Sequence, residues 1–450
     1  MERETRVVIT GLGPLTAVGT GKERLWGASK EGASNVTLED YYIDGEHWGK
    51  FPISKVRGFD IEDFGLPPGA AGALQKDQEN NSRDLLYLLA SSKLALDDSR
   101  LDFDREDNEV GLVLTCENPG LDDFISRVMQ STLDIAEGRP PAPRRPGKRG
   151  LIEGLYERFE KRVYNLQTFM YLHHVSKALG LHGPSLFINN ACASGLYAVE
   201  AASQQIRSGQ AAAVVVAGAD HASHMTKHLW FSRLGLYSAG GMMRPFDRHR
   251  DGVVFGEGAA AVVLEGLAHA SARGADIYGE YLGGGFTQDA WKVTVPSATR
   301  NFYRKAFELA LKISGIRAGE IDLLNPHGAA TSLGDKFEAL TITELFGSYP
   351  RKPLITALKP FVGHNLGGSA LMELVILLLA MKENVVPPTL NYTTPDPALK
   401  LRMVKEPTAA RVQLAAKMST GFGGYHAVAI FRNLAGGAGR RPRTQQPAVN

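Results

Sequence analysis

Ala211 to Ala217 reads Ala-Ala-Ala-Val-Val-Val-Ala, without one polar side chain. A strand of this kind has no face for water, so it belongs in a sheet covered on both sides by other layers. A second apolar strand is expected at Ala427 to Phe431, and helix-patterned stretches such as Arg300 to Ile313 alternate with the strands. This alternation places the chain in the α/β class. Its 450 residues suffice for a large core, and length alone allows two or three domains.

The same local pattern of strand, small-residue loop and helix recurs three times, each time around a reactive side chain. Cys192 lies in Asn189-Asn190-Ala191-Cys192-Ala193-Ser194-Gly195, after the apolar Pro184 to Ile188 and before a helical Leu196 to Arg207. The unpaired N–H groups and positive dipole end of a helix favour thiolate over thiol, so a cysteine here is a candidate nucleophile. Packing is the competing reading, because free cysteine is among the most buried residue types. His327 stands in Asn325-Pro326-His327-Gly328-Ala329-Ala330-Thr331, after Ile321 to Leu324. His364 stands in Lys359-Pro360-Phe361-Val362-Gly363-His364-Asn365, after Leu354-Ile355-Thr356. Single histidines are usually structural. A cysteine with distant histidines in matching loops is also a known nucleophile arrangement.

Composition excludes several classes. Fifty basic against 48 acidic residues give a net charge of +2, with no nucleic-acid footprint. Two cysteines in so long a chain suit a reducing compartment, and the charged Met1-Glu2-Arg3-Glu4 is no signal peptide, so a cytoplasmic location is expected. Leu374 to Met381 is too short to span a bilayer and reads as a buried helix; no membrane partner is expected.

Taken together, these segments resemble the β-ketoacyl synthases (ketosynthases) of fatty-acid and type II polyketide assembly, from Val7 to about Arg432. The further markers are Val8-Ile9-Thr10-Gly11-Leu12-Gly13, Arg244-Pro245-Phe246-Asp247-Arg248-His249-Arg250-Asp251-Gly252, Gly256-Glu257-Gly258-Ala259 and Gly421-Phe422-Gly423-Gly424. Their order and spacing make the resemblance specific. It implies a thiolase-like, five-layered αβαβα fold of two similar halves, 5–267 with the nucleophile and 276–432 with both histidines. Residues 434–450, rich in Gly, Arg and Pro, are expected to be disordered.

Carried onto this sequence, the resemblance makes Cys192 the acceptor of an acyl group from the phosphopantetheine arm of an acyl carrier protein. His327 and His364 would assist malonyl decarboxylation and stabilise the enolate, which a neutral imidazole can do by hydrogen-bond donation. Lys359 would orient the histidine region, with Glu338 and Glu373 in support. The backbone N–H groups of Cys192 and Phe422 would form the oxyanion hole, Phe422 would gate the acyl pocket, and Thr331 would touch the pantetheine arm. No bound cofactor and no metal are implied. The family is dimeric, so a homodimer or a heterodimer with a chain-length-determining homologue is expected. Degradative thiolases carry a second, late cysteine; this chain has only Cys116 and Cys192. The Lys359 to His364 segment matches the elongating Cys-His-His type.

Several positions depart from the family pattern. Ala329 stands for a usual Thr, Glu117 replaces part of a Gly-rich turn after Leu112 to Cys116, and His426 adds a third imidazole near the site. These keep a second function in view: a ketosynthase-fold acyltransferase or cyclase that uses acyl-Cys192 without malonyl extension. A non-catalytic partner role is disfavoured by the full Cys-His-His-Lys set. The segment from Gln130 to Tyr164 is longer than in compact relatives, and its basic Arg139 to Arg149 reads as a loop. It is either a solvated insertion or a docking surface for an acidic carrier protein.

Other signals point to structure. Gly11-Leu12-Gly13-Pro14 lacks the third glycine of a dinucleotide loop and reads as a tight exit from a strand over Arg6 to Thr10. His221, His224 and His228 share a helical spacing without a further ligand. Cys116 reads as a small core residue able to line the acyl pocket. Asp247, Arg250, Asp251 and Glu257 read as a brace.

Overall fold

The computed structural model describes residues 5–434 except 44, 68–69, 71–81, 140–146, 151, 155–165, 222–224 and 298. Ten strands carry the fold: β1 Val7–Thr16, β2 Gly111–Thr115, β3 Ser185–Ile188, β4 Ala213–Asp220, β5 Gly258–Gly266, β6 Gly279–Gln288, β7 Leu323–Asn325, β8 Leu354–Ile355, β9 Leu414–Gly421 and β10 Tyr425–Arg432. Among the described helices that pack on them are α1 Arg83–Ser99, α2 Ser194–Arg207, α3 Phe302–Ser314, α4 Ser332–Phe346 and α5 Ser369–Glu383. The strands run in space β3-β2-β4-β5-β1 and then β6-β10-β9-β7-β8. Within each half the order is therefore third, second, fourth, fifth, first. The two halves meet where β1 and β6 pair antiparallel, Val7 with Tyr281 and Ile9 with Gly279.

Layering follows from the alternation of side chains along the strands. In β4, Val214 and Val216 join a central core with Leu196 and Val199 of α2 and Leu371, Leu374 and Leu378 of α5. Val215 and Ala217 face the other way, onto Leu85, Leu88 and Leu89 of α1. The second half mirrors this: Leu323, Ala427 and Phe431 point to the central core. Leu324, Val428 and Ile430 meet Tyr303 and Phe307 of α3 and Ile342 and Phe346 of α4. Helices α2 and α5 touch strands of both halves, which yields five layers. That location explains why α5 is apolar round its whole circumference from Leu374 to Met381, all fully or nearly fully buried.

Two sequence readings need correction. Gly11 and Gly13 lie inside β1 rather than at its exit, with a bulge between Ile9 and Gly11. Glycine is required because α1 crosses so closely that a Cβ would lie 2.2 Å from the Ala95 carbonyl at Gly11 and 2.1 Å from that of Ser91 at Gly13. The insertion from Gln130 begins in a helix, Leu121–Ala136, and part of its basic stretch lies outside the described residues, as do 435–450 of the tail.

Candidate active site

Strand β3 ends at Ile188 and α2 begins at Ser194, so a five-residue turn carries Cys192 to the entrance of a central helix. The turn is tight. Ala191 adopts a left-handed φ of 49°, a conformation that an L-residue keeps only where its surroundings enforce it. Enforcement is local: Asn190 N donates to Ser194 Oγ at 2.7 Å, and that hydroxyl donates to Ala191 O at 2.6 Å. From the second half, Ser419 Oγ on β9 donates to the Cys192 carbonyl at 2.9 Å.

Cys192 is 6 % exposed, and burial pushes its thiol well above its ordinary value, with the Glu117 carboxylate adding to the rise and Lys359 opposing it. Here the structure differs from the helix-entrance expectation. Desolvation of the thiolate outweighs the favourable helix end, so the resting group is a thiol and loses its proton only when a base takes it.

His327 follows β7 in a loop that doubles back through left-handed Gly328 and Ala330. Glu338 of α4 holds this loop. Its Oε1 accepts from His327 N at 2.7 Å and its Oε2 from Gly328 N at 2.8 Å, while Tyr303 donates to Oε1 at 2.9 Å. Glu338 thus works on the backbone. Burial raises its carboxyl, and the two N–H donors pull it back down.

The partner of Lys359 is Glu373. The Lys359 ammonium lies 2.5 Å from Glu373 Oε1, 2.7 Å from the His327 carbonyl and 3.3 Å from His327 Nδ1. A second buried amine, Lys417 of β9, reaches Glu373 Oε2 at 3.2 Å. Burial depresses Lys417 to about 8 against the pull of Glu373. His364 comes off the segment before α5; its N donates to Val254 O at 2.7 Å, and its Nδ1 lies 3.2 Å from Ser369 Oγ. The two imidazoles stand 5.4 Å apart, edge to face. Burial first, then the Lys359 charge, push both well below the ordinary histidine value, so both are neutral.

Cys192, His327 and His364 border one cavity, together with Thr331, Ala329 and Phe422. Phe422 stacks on Phe231 at 5.3 Å with an interplanar angle of 20° and meets Trp230 edge-on. It is held at the cavity wall by the approach of β9: a Cβ on Gly421 would lie 3.0 Å from Cys192 N and 2.9 Å from Asn190 O. Thr331 sits at the N-cap of α4.

His426 does not border the cavity. It is buried one layer behind, stacked on Tyr303 at 4.8 Å, with Nδ1 2.9 Å from Thr420 Oγ1 and Nε2 3.0 Å from Asp289 Oδ1. Cys116 is fully buried, its Sγ 3.7 Å from Asp220 Oδ1. It also lies off the cavity wall. With Asp84 and Asp220 it forms a close trio of metal-ligand types. Asp220 is already engaged as a loop clamp, accepting from Gly367 N at 2.7 Å and Glu117 N at 3.2 Å, with Lys227 at 3.4 Å. His228 packs among Tyr41, Phe51, Tyr237 and Phe255; His224 lies outside the described residues. Asp247 accepts from Thr393 N and Thr394 N, and Arg250 pairs with Asp396 at 2.8 Å, which is bracing.

Sequence reasoning did not single out Lys417, Ser369 or Ser419. Lys417 had a signal, a lone cation inside the apolar strand Leu414 to Met418. The two serines had none, since buried and exposed serines look alike in a sequence.

A cysteine at the entrance of one central helix, a neutral imidazole before the other, and a second neutral imidazole ahead of α4, beside a buried lysine, meet at one cavity of a thiolase-like fold. The model of the β-ketoacyl synthase N-terminal domain matches residues 4–270, and that of the C-terminal domain matches 278–393. The chain belongs to the β-ketoacyl synthase family. It is 30% identical to a 3-oxoacyl-[acyl-carrier-protein] synthase 2 of Vibrio harveyi, over 96% of this chain and 99% of that one. Among solved structures, the ishigamide ketosynthase/chain length factor superposes with a TM-score of 0.82 at 26% identity, covering 96% of this chain and 100% of that one. A type II polyketide ketosynthase captured with its acyl-carrier protein, AntDE:AntF, gives 0.78 at 25% identity with the same coverage. The protein is accordingly an enzyme of the acyltransferase type, a ketosynthase.

Proposed function

We propose that this chain catalyses decarboxylative Claisen condensation of an acyl group on Cys192 with a malonyl thioester on an acyl carrier protein. The reading rests on one observation above others: Cys192, His327 and His364 share a cavity, with Lys359 buried between the histidine loop and Glu373. Cys192 Sγ takes the acyl group by transthioesterification from the phosphopantetheine arm, which enters as part of the substrate past Thr331. The malonyl thioester then loses carbon dioxide, and its enolate oxygen is stabilised by imidazole N–H. The enolate carbon attacks the acyl carbonyl, whose oxyanion meets the N–H groups of Cys192 and Phe422; its collapse breaks the bond to Cys192 Sγ, which leaves as thiolate, and the elongated β-ketoacyl group stays on the carrier protein. Losing one such donor costs about 2.7–4 kcal/mol. Phe422 gates the acyl pocket.

A second subunit of the same fold completes the assembly in this reading, either another copy or a chain-length-determining homologue. Strand β3 supports it, since it ends the sheet with Leu186 44% exposed. No helix among the described residues is long and apolar enough to cross a membrane, which suits work in the cytoplasm with a diffusing carrier protein.

Intact mass after incubation with acyl carrier protein thioesters tests the assignment. An acyl adduct on the wild type, its absence from Cys192→Ala, and carbon dioxide release from malonyl carrier protein are expected. The same adduct on Cys192→Ala would remove the nucleophile assignment.

A further inference from the structure

Ser369 opens α5 five residues after His364 and is 1% exposed. Its hydroxyl lies 3.2 Å from His364 Nδ1 and 3.3 Å from Glu373 Oε1. A hydroxyl carries one hydrogen, so it donates to one of these neighbours and accepts from the other. A bond from O–H to a carboxylate is charge-assisted and stronger than one to a neutral imidazole, so the hydrogen goes to Glu373. His364 must then supply the hydrogen between itself and Ser369. Its proton sits on Nδ1, and its Nε2 is bare.

His327 is set the opposite way. The Lys359 ammonium, 3.3 Å from His327 Nδ1, offers only donors, so Nδ1 accepts and Nε2 carries the hydrogen. Two neutral imidazoles on one cavity therefore present one acceptor and one donor.

We propose that Ser369 is a positioning residue that holds the His364 proton on Nδ1, so that His364 Nε2 takes the Cys192 thiol proton during acyl loading while His327 Nε2–H serves the enolate. The inference rests on the condensation reading above. In the loading step the Cys192 S–H proton passes to His364 Nε2 as sulfur bonds to the acyl carbonyl carbon. The carbon–sulfur bond to pantetheine then breaks, and the imidazolium returns that proton to the departing thiolate. His364 ends neutral with Nε2 bare again. The buried thiol of Cys192, held protonated, is the kind of nucleophile that needs such a base.

The test combines histidine 15N NMR on the resting full-length protein with two separated rates. Resonances of His364 are assigned with His364→Gln, and wild type, Ser369→Ala and Ser369→Thr are compared. Expected are a protonated Nδ1 in the wild type, a tautomer mixture in Ser369→Ala and recovery in Ser369→Thr. Quenched intact mass should show acyl loading slowed about tenfold to a hundredfold in Ser369→Ala. Malonyl decarboxylation on the preloaded enzyme should change much less. A protonated Nε2 on wild-type His364, or equal slowing of both steps with the tautomer unchanged, would overturn the proposal. Failure of the wild type to acylate at all would strike the condensation reading instead, and the NMR comparison would still decide the role of Ser369.

Discussion

The two halves repeat one topology yet load it with different chemistry. After its second strand the first half turns through Cys116 and Glu117, and the second half turns through His327. Each turn is clamped by a carboxylate that accepts two backbone N–H groups, Asp220 from Glu117 and Gly367, Glu338 from His327 and Gly328. After the third strand, five residues lead from β3 to α2 and deliver Cys192, whereas thirteen lead from β8 to α5 and deliver Lys359 and His364. A short turn places one side chain rigidly at a helix end. A longer one can bury an ammonium, fold back and present an imidazole. Cys192 thus sits at the position of a duplicated frame that Lys359 and His364 occupy in the other half, and His327, after the second strand, faces the same cavity.

The sharpest way to break this division is to remove His327. Condensation by His327→Ala should fall by about 10²–10⁴, the usual worth of positioned proton donors and acceptors. Acylation of Cys192 should stay within about tenfold of wild type, because the first half keeps its nucleophile and His364 its lone pair. Rapid-quench mass spectrometry separates the two steps. Equal losses in both would show that the halves do not divide the reaction.

Next in size are the buried charges of the second half. Glu373→Gln leaves Lys359 and Lys417 without their anion, and a buried charge deprived of its partner costs about 3–5 kcal/mol. The double variant Glu373→Gln with Lys417→Met should recover part of that loss in urea unfolding. In the first half, Asp220→Asn turns an amide toward the backbone donors of Glu117 and Gly367; about 1–3 kcal/mol is expected, with loading chemistry retained. An Asp220→Asn protein less stable than Glu373→Gln would reverse the ranking of the two carboxylates.

Much of this arrangement was legible from residue order. The strand, small-residue loop and helix recurring around Cys192, His327 and His364 identified both the α/β class and the groups that now share a cavity. What stayed hidden was distance and burial. Helix-entrance logic favoured a thiolate, but only the fold shows that Cys192 is desolvated beside Glu117. His426 read as a third imidazole near the site, and it packs there against Tyr303 and Asp289 of the cavity wall; only the alternation of β10, which keeps its own ring off that wall, was hidden. Glu338 and Glu373 were both expected to support Lys359. The packing of α5 against β9 separates them, giving Glu373 the two amines and Glu338 the His327 backbone.

The last predicted effect is one of pH, and it is shared by the two halves. His327 and His364 are lowered from 6.5 by burial, so below about pH 6.5 the unfolded chain binds protons that the folded one refuses, and stability is lost as pH falls. Asp335 in the second half and Glu257 in the first work the other way. Burial raises each to about 7, from 3.8 and 4.5, so each regains stability as pH falls from about 7 toward its unfolded value. Between pH 6.5 and 4.5 these two imidazoles and these two carboxyls therefore pull in opposite directions. Asp335→Asn removes one offsetting group, so stability should fall on acidification by about 1.4 kcal/mol per pH unit more than in wild type. Glu257→Gln should do the same from the other half, since linkage depends on proton count and not on where the group sits. Urea unfolding at pH 6.5 and 5.5 measures both slopes, and a slope unchanged in either variant would show that its carboxyl is ionised in the fold.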